Sequence, residues 1–360
     1  MDNAELSDRE LEFYSRQIVL DEIGYDGQLK LKNSKACIVG LGGLGSPAAY
    51  LLASIGVGTL RLVDYDVVEL SNLHRQYLYD TGFLGFPKVE AAAKKLQKLN
   101  PNIVIEPIPL SLNNDTADEI IGGMDVVLDG LDSITSRYVL NRACQRLNVP
   151  YIYGAAIMTF GAVSTIIPGV TPCLECFYGN LKDDDLPKCA VVGVHPSILN
   201  IIASVEVSEA IQILLGKEPN LAGRLFYFDI SNMNFSMVKI LKSNNCPACG
   251  SNRSRLPLLT HKIVTEICAR NRKRVYVIIP RKNLQIDMDS LCSILKDIKF
   301  DINVKAQLGI TFSNGLIHVS ILKSGIMIVE GMKSQKEAYD FYFDLIVDGL
   351  KFSPEILNEK

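Results

Sequence analysis

The sequence predicts a doubly wound, mostly parallel α/β sheet followed by a small α+β domain. Three observations carry this. Short apolar runs rich in strand formers alternate with amphipathic helical stretches as far as Ile167. The first such unit, Ala36–Asp66, joins strand to helix through Gly40, Gly42 and Gly45 in the spacing G-x-G-x-x-G. Beyond Gly250 the pattern changes to closely spaced strands with hairpin-type dipeptides, Asn314-Gly315 and Ser324-Gly325. The organisation read from these shifts is 1–250, a linker 251–257, and 258–360.

In chain order, Ser7–Leu20 reads as a helix, opened by a Ser7/Glu10 capping box and carrying Leu11, Tyr14 and Ile18 on one face. Gln28–Leu31 leads into the strand Ala36–Val39. An alanine-rich helix follows from Ser46-Pro47 to Ile55, then the strand Thr59–Val63, ending at Asp64. This unit is Rossmann-like. Glycines let backbone approach a phosphate, the helix N-terminus favours its charge, and an acid after the second strand accepts from ribose hydroxyls. The polar stretch Tyr65–Tyr79, with Asp66, Asn72, His74, Arg75 and Gln76, follows at the strand ends, where open α/β sheets bind ligands. Gly85-Phe86-Pro87-Lys88 opens a helix to Leu99. Lys88 in its first turn opposes the helix dipole, as a cation held for an anion would, or as a surface lysine. Strands are read at Asn102–Pro107 and Asp125–Leu128, then a helix Ser133–Leu147. Asp132 before it would cap the helix or serve a metal accompanying phosphates. Strands at Pro150–Tyr153 and Gly161–Ile167, a helix Pro196–Leu215, and strands Arg224–Phe228 and Phe235–Ile240 complete the first domain. The second holds a helix or strand near His261–Ala269, strands Val275–Ile279, Ile310–Phe312, Leu316–Ile321 and Ile326–Glu330, and helices Ser290–Ile298 and Ser334–Ile346.

At 360 residues, 48% hydrophobic and 21% charged, the chain has ample material for a core. A net charge of −3 gives no electrostatic case for nucleic acid or an anionic membrane. The N-terminus lacks an apolar signal core, and the apolar helix Pro196–Leu215 carries Asn200, Glu206, Glu209 and Gln212, too polar for a lipid span. A cytoplasmic protein is the expectation, and its nine cysteines then read as metal ligands, nucleophiles or fillers. Cys173 and Cys176, with Cys246 and Cys249, form two C-x-x-C knuckles. Four thiolates suit one tetrahedral, structural zinc; redox dithiols are the rival reading. Between them, Gly179–His195 reads as a mobile loop from its acidic run Asp183–Asp185 and Pro187. In it Cys189 beside Lys188 is a nucleophile of lowered pKa or a small filler, and His195 before Pro196 either assists it or, more often for a lone histidine, is structural.

Taken together, YSRQ at 14–17, GLGGLG at 40–45, VDYDVVELSNLHRQ at 63–76, GFPK at 85–88, DGLD at 129–132 and the two cysteine pairs resemble the ThiF/MoeB/HesA family over Leu11 to Gly250. Those are adenylyltransferases of ubiquitin-like sulfur carriers, related to the adenylation domains of ubiquitin-activating enzymes. The resemblance implies that ATP and Mg²⁺ activate the carboxylate of a partner ending in Gly-Gly, giving an acyl adenylate and pyrophosphate. It implies that Gly40, Gly42 and Gly45 line the nucleotide turn and that Asp64 holds the ribose. It puts Asn72, Arg75, Gln76 and Lys88 around the phosphates, Asp132 at Mg²⁺ and the reacting centre, and Arg16 across a homodimer interface. Asp66 lies in the same motif and is assigned to the nucleotide site with them. The family's usual Asn after the Asp132 position is Ser133 here, while Arg137 is kept. The tail from Ser251 is not the rhodanese domain of some members, so sulfur would come from a separate sulfurtransferase.

Three functions compete. The first is adenylation of a sulfur carrier for molybdopterin, thiamine or tRNA thiolation. The second is a ubiquitin-type activating enzyme that takes its carrier as a thioester on Cys189 and hands it to a conjugating partner. The third, an NAD(P)-dependent oxidoreductase, leaves Arg75, Lys88 and Asp132 unexplained.

Overall fold

A computed structural model describes residues 5–179, 181–185, 192–251, 263–268 and 274–357. Its larger sheet comprises β1 (Lys35–Val39), β2 (Thr59–Val63), β3 (Val104–Ile108), β4 (Val126–Asp129), β5 (Tyr151–Ile157), β6 (Phe160–Ile166), β7 (Arg224–Asp229) and β8 (Asn234–Lys239). They run in the order β3-β2-β1-β4-β5-β6-β7-β8. β3 through β5 are parallel, and β6, β7 and β8 add antiparallel. The fold is therefore the expected doubly wound sheet. The chain moves outward from β1 through β2 to β3, then returns to lay β4 on the other side of β1. That reversal opens a crevice at the carboxyl ends of β1 and β4.

Strand alternation supplies both cores. Ile38 faces one layer with α4 (Gly45–Ile55), α5 (Lys88–Leu99) and α9 (Pro196–Leu214). Cys37 and Val39 face the other, with α6 (Ala117–Ile121), α7 (Ile134–Leu147) and α8 (Leu174–Tyr178). α9 is long and apolar enough to cross a membrane by length and composition, but it packs on β5, β6 and α4. It buries Glu206 and Glu209, and the Glu209 carboxylate is satisfied by Thr165 Oγ1, Asn220 N and Leu221 N.

Several boundaries differ from the sequence reading. The helix read over Ser7–Leu20 is α1 (Asp8–Phe13) and α2 (Ser15–Ile18), broken at Tyr14. Tyr14 is pulled inward: its hydroxyl accepts from Asn100 Nδ2 at 2.8 Å, and its ring lies against Gly56, where a Cβ would come within 2.5 Å. The lead-in at Gln28–Leu31 is the latter half of an unforeseen helix, α3 (Gly24–Asn33). It is tied to the sheet where Gly58 N donates to Leu31 O at 2.9 Å. The short α6 and α8 were also not foreseen, each spanning five residues, too few for a 3.6-residue period to register.

The second sheet contains β9 (Val264–Cys268), β10 (Arg274–Ile278), β11 (Asp301–Lys305), β12 (Gly309–Ser313), β13 (His318–Leu322) and β14 (Met327–Glu330). Their order is β11-β12-β13-β14-β10-β9, antiparallel throughout. The segment near His261–Ala269 is a strand where it is described, and the linker from residue 252 lies outside the described residues. Hairpin turns do fall at Gly315 and Gly325, both with positive φ. Edge strand β11 was not foreseen. The helix read to Ile346 is α-helical only over Gln335–Tyr342 (α11) and continues as a π turn, Phe343–Gly349. With α10 (Met288–Asp297), α11 covers one face of the sheet through Ile278, Phe312 and Ile321.

Gly58 tests the α3 junction. A Cβ there would lie 1.7 Å from the Lys32 carbonyl oxygen, so backbone must move. Gly58→Ala should lower stability by about 3 kcal/mol, read from the urea unfolding midpoint. An unchanged midpoint would show that α3 is loosely attached.

Candidate active site

The crevice floor is backbone. Val39, Val63 and Asp129 stand level in the sheet register, so Gly40, Asp64 and Gly130 leave their strands side by side. Gly40 adopts φ +89, and a Cβ on it would meet the Gly130 carbonyl oxygen at 2.5 Å. A Cβ on Gly45 would lie 1.7 Å from Gly40 O. Only hydrogen at these positions lets the turn close and bring the α4 N-terminus over the strand end. Gly42 differs: a Cβ there would meet only Gln76 Nε2, at 3.9 Å, so this glycine borders open space on the ligand side.

Asp64 ties the turn to the polar loop. Its Oδ2 accepts from Leu41 N at 2.7 Å and its Oδ1 from Asp66 N at 2.8 Å. Burial pushes its carboxyl up, with Lys88 opposing. Each oxygen keeps a second lone pair, so ribose hydroxyls could still be held. Tyr79 braces the turn from below by donating to Leu41 O.

Residues 66–68 and 85–88 form a short ribbon. Val67 bridges Pro87, Val68 N donates to Phe86 O, and Lys88 N donates to Asp66 O. The ribbon delivers Lys88 Nζ to Asp66 Oδ2 at 2.5 Å. Lys88 is only 5% exposed, so the surface reading fails. Burial works against its ammonium, but Asp66 and Asp64 outweigh that and hold its pKa above the ordinary lysine value. Gln76 is 3% exposed and its Oε1 has no hydrogen-bond partner among the described residues. An unsatisfied buried amide costs about 1–3 kcal/mol, a penalty that a polar ligand at the turn would relieve. Asn72 is spent on the loop itself, its Oδ1 accepting from Glu69 N. Arg75 is half-buried and donates to Ser71 O at 2.7 Å.

Asp132 does not cap α7. That role falls to Ser133, whose Oγ accepts from Ser136 N at 3.2 Å. Asp132 stays exposed at the crevice rim, close enough that its charge, after burial, is the largest influence raising the Tyr65 phenol. Sequence reasoning missed Asp183. From the acidic run, its carboxylate accepts from Ile134 N at 2.7 Å and from Ser133 Oγ at 3.1 Å. The run read as part of a mobile loop is pinned there to the helix start behind Asp132, and no local pattern announces so distant a pairing. Arg137 also lies beneath the site, donating to Asp129 Oδ2 and Gly154 O.

Two predicted residues stand apart. Cys189 lies outside the described residues. Arg16 is exposed on α2, whose neighbour Gln17 donates to Ile55 O at the far end of α4. α4 runs about 15 Å from the glycine turn to that end, so Arg16 does not join its own chain's crevice.

The four knuckle cysteines do converge. Cys173, Cys176, Cys246 and Cys249 place all four Sγ atoms within 4.8 Å of one another. The pairs Cys173–Cys246 and Cys176–Cys249 are 3.5 and 3.4 Å apart, too far for disulfides. A tetrahedral zinc with ~2.3 Å bonds needs sulfurs about 3.8 Å apart, so the donor set fits. Sulfurs from both knuckles gathered into one cluster suit a single shared ion, which favours zinc over two separate redox dithiols.

Residues 14–248 match the model of the ThiF family. The chain is 37% identical over 242 residues to the SAMP-activating enzyme E1 of Haloferax volcanii, covering 67% of this chain and 89% of that protein. It is 38% identical to the molybdopterin-synthase adenylyltransferase of Escherichia coli, over 69% of this chain and 99% of that one. It is 41% identical to the adenylyltransferase and sulfurtransferase MOCS3 of Drosophila virilis, over 74% of this chain but only 59% of that longer protein. Among solved structures, E. coli MccB with ATP superposes with a TM-score of 0.58 at 25% identity, over 66% of this chain and 73% of that one. The crevice and these likenesses together establish that the chain belongs to the ThiF family.

Proposed function

We propose that this chain adenylates the C-terminal glycine of a ubiquitin-like sulfur-carrier protein, forming an acyl adenylate and pyrophosphate. One observation carries the reading most directly. The glycine turn, Gln76 Oε1 without a partner among the described residues, and the buried Lys88, with Asp132 exposed after β4, support this reading in a chain whose relatives are named adenylyltransferases. A carrier carboxylate is already ionised at neutral pH, so no general base is required. Its oxygen attacks the α-phosphorus of ATP, a P–O bond forms, and the bond to the leaving pyrophosphate breaks with its electron pair. Negative charge grows on the phosphate oxygens throughout. Lys88 and Arg75 supply compensating positive charge, and the turn's backbone N–H groups orient the nucleotide.

Asp132 offers a hard, exposed oxygen donor at the rim that fits Mg²⁺, which when bound would offset phosphate charge. Arg16, exposed and remote from its own crevice, suits donation to a second copy's ATP, so the working unit we propose is a symmetric homodimer. The four-cysteine cluster would hold a structural zinc with no open coordination position. The cysteine usage of the sequence suits a reducing, cytoplasmic setting. Thioester formation on Cys189 gains no particular support from the described residues, and family membership argues against the oxidoreductase alternative.

Incubation with ATP and candidate small proteins ending in Gly-Gly, followed by mass spectrometry, tests the reading by the mass of the acyl adenylate. Asp132→Ala should cut carrier-dependent ATP–pyrophosphate exchange by at least about 100-fold. Exchange at the wild-type rate would remove Asp132 from the chemistry. Cys246→Ser should lose the one zinc per chain seen by elemental analysis and lower the melting temperature, because three thiolates hold the ion poorly. Unchanged metal content would contradict the zinc assignment.

A further inference from the structure

The face of the second sheet turned away from its own helices packs on the nucleotide site. Val277, Ile279, Leu322 and Ile326 enclose Val67 of the 66–68/85–88 ribbon. Two hydroxyls interrupt this sheet face. Thr311 and Ser320 are cross-strand partners, 1% and 3% exposed, with their oxygens 2.8 Å apart. Thr311 Oγ1 donates to the Gly85 carbonyl oxygen at 2.7 Å. A hydroxyl has one proton, so Ser320 must be the donor to Thr311, and the pair forms a directed relay ending on the ribbon. Three residues earlier, Leu308 N donates to Glu90 Oε2 at 2.8 Å, fixing the first turn of α5. Two part-buried polar links, from β12 and the residue before it to Gly85 and Glu90, thus flank Lys88 in sequence.

We propose that the second sheet is a brace for the nucleotide site, with Thr311 and Ser320 as positioning residues for Lys88. This rests on the adenylation reading only for the identity of the ligand. Gly85 has φ +81 and opens the turn that leads into Lys88 and its ion pair with Asp66. Anchoring its carbonyl limits the ribbon's freedom, so the ammonium is held in place before a triphosphate arrives. Preorganisation of this kind lowers the ordering cost of binding. The second sheet thereby influences ATP affinity without touching ATP.

The test compares the full-length wild type with Thr311→Val, which keeps the shape and removes the donor, and Thr311→Ser, which restores it. Two readouts are taken: ATP affinity by calorimetry, and amide hydrogen exchange across residues 85–88 without nucleotide. Thr311→Val should weaken ATP binding about fivefold and speed exchange in that segment by a similar factor, with Thr311→Ser within about twofold of wild type. Wild-type affinity and exchange in folded Thr311→Val, or failure of Thr311→Ser to restore them, would overturn the brace. Should Thr311→Val not fold, Ser320→Ala removes the donor behind Thr311 and should give about a twofold change in both readouts; no change would overturn the proposal. A wild-type chain that binds no ATP would overturn the adenylation reading, while exchange at 85–88 would still decide the brace.

Discussion

Two carbonyl-bearing glycines in contact set the geometry of this molecule. Gly40 leaves β1 and Gly130 leaves β4 so close that a Cβ on Gly130 would lie 2.1 Å from the Gly40 oxygen. Without that approach, the strand ends would splay, the α4 N-terminus would lift from the sheet, and Asp64 could not reach Leu41 N. The crevice is thus a consequence of missing side chains at two places where the sheet order reverses. Everything chemical is then hung around it by longer side chains from the next loops.

The charges around the crevice are arranged in two tiers. Below, Asp129 is neutralised by Arg137 and accepts from Tyr151, and Glu206 lies buried beside Gly154. Burial, with Asp129 adding to it, raises the Glu206 pKa and favours its protonated form. Above, Asp64, Asp66 and Lys88 form a mixed cluster whose lysine is already charged before any nucleotide arrives. Arg137 ties the lower tier to the strand ends, whereas the upper tier borders open space at Gly42; Glu206 Oε1 below and Gln76 Oε1 above both lack a hydrogen-bond partner among the described residues. The open border at Gly42 distinguishes the group available to a ligand from the group that holds the strands.

Much of this was legible in the sequence because it is local. The glycine spacing, the acid after β2 and the cysteine knuckles each lie within a few residues, and each is a steric or coordination demand that few other patterns meet. What escaped was long-range. Tyr14 breaks its helix because Asn100 and Gly56 hold it from elsewhere in the chain. α3 carries a weakly patterned, polar sequence that only tertiary contact makes a helix. Asp183 reads as a solvated acid until its helix partner is known. Lys88 is ambiguous between surface and site because its partner Asp66 lies 22 residues earlier on another loop, which its own helix does not reveal.

The most direct measurement is the structure of the chain crystallised with ATP. The account predicts phosphates against the Gly40–Gly45 bend, ribose hydroxyls on Asp64, and a hydrogen bond completing the Gln76 amide. ATP bound elsewhere with this bend empty, or a nicotinamide dinucleotide taken there in preference to ATP, would contradict it.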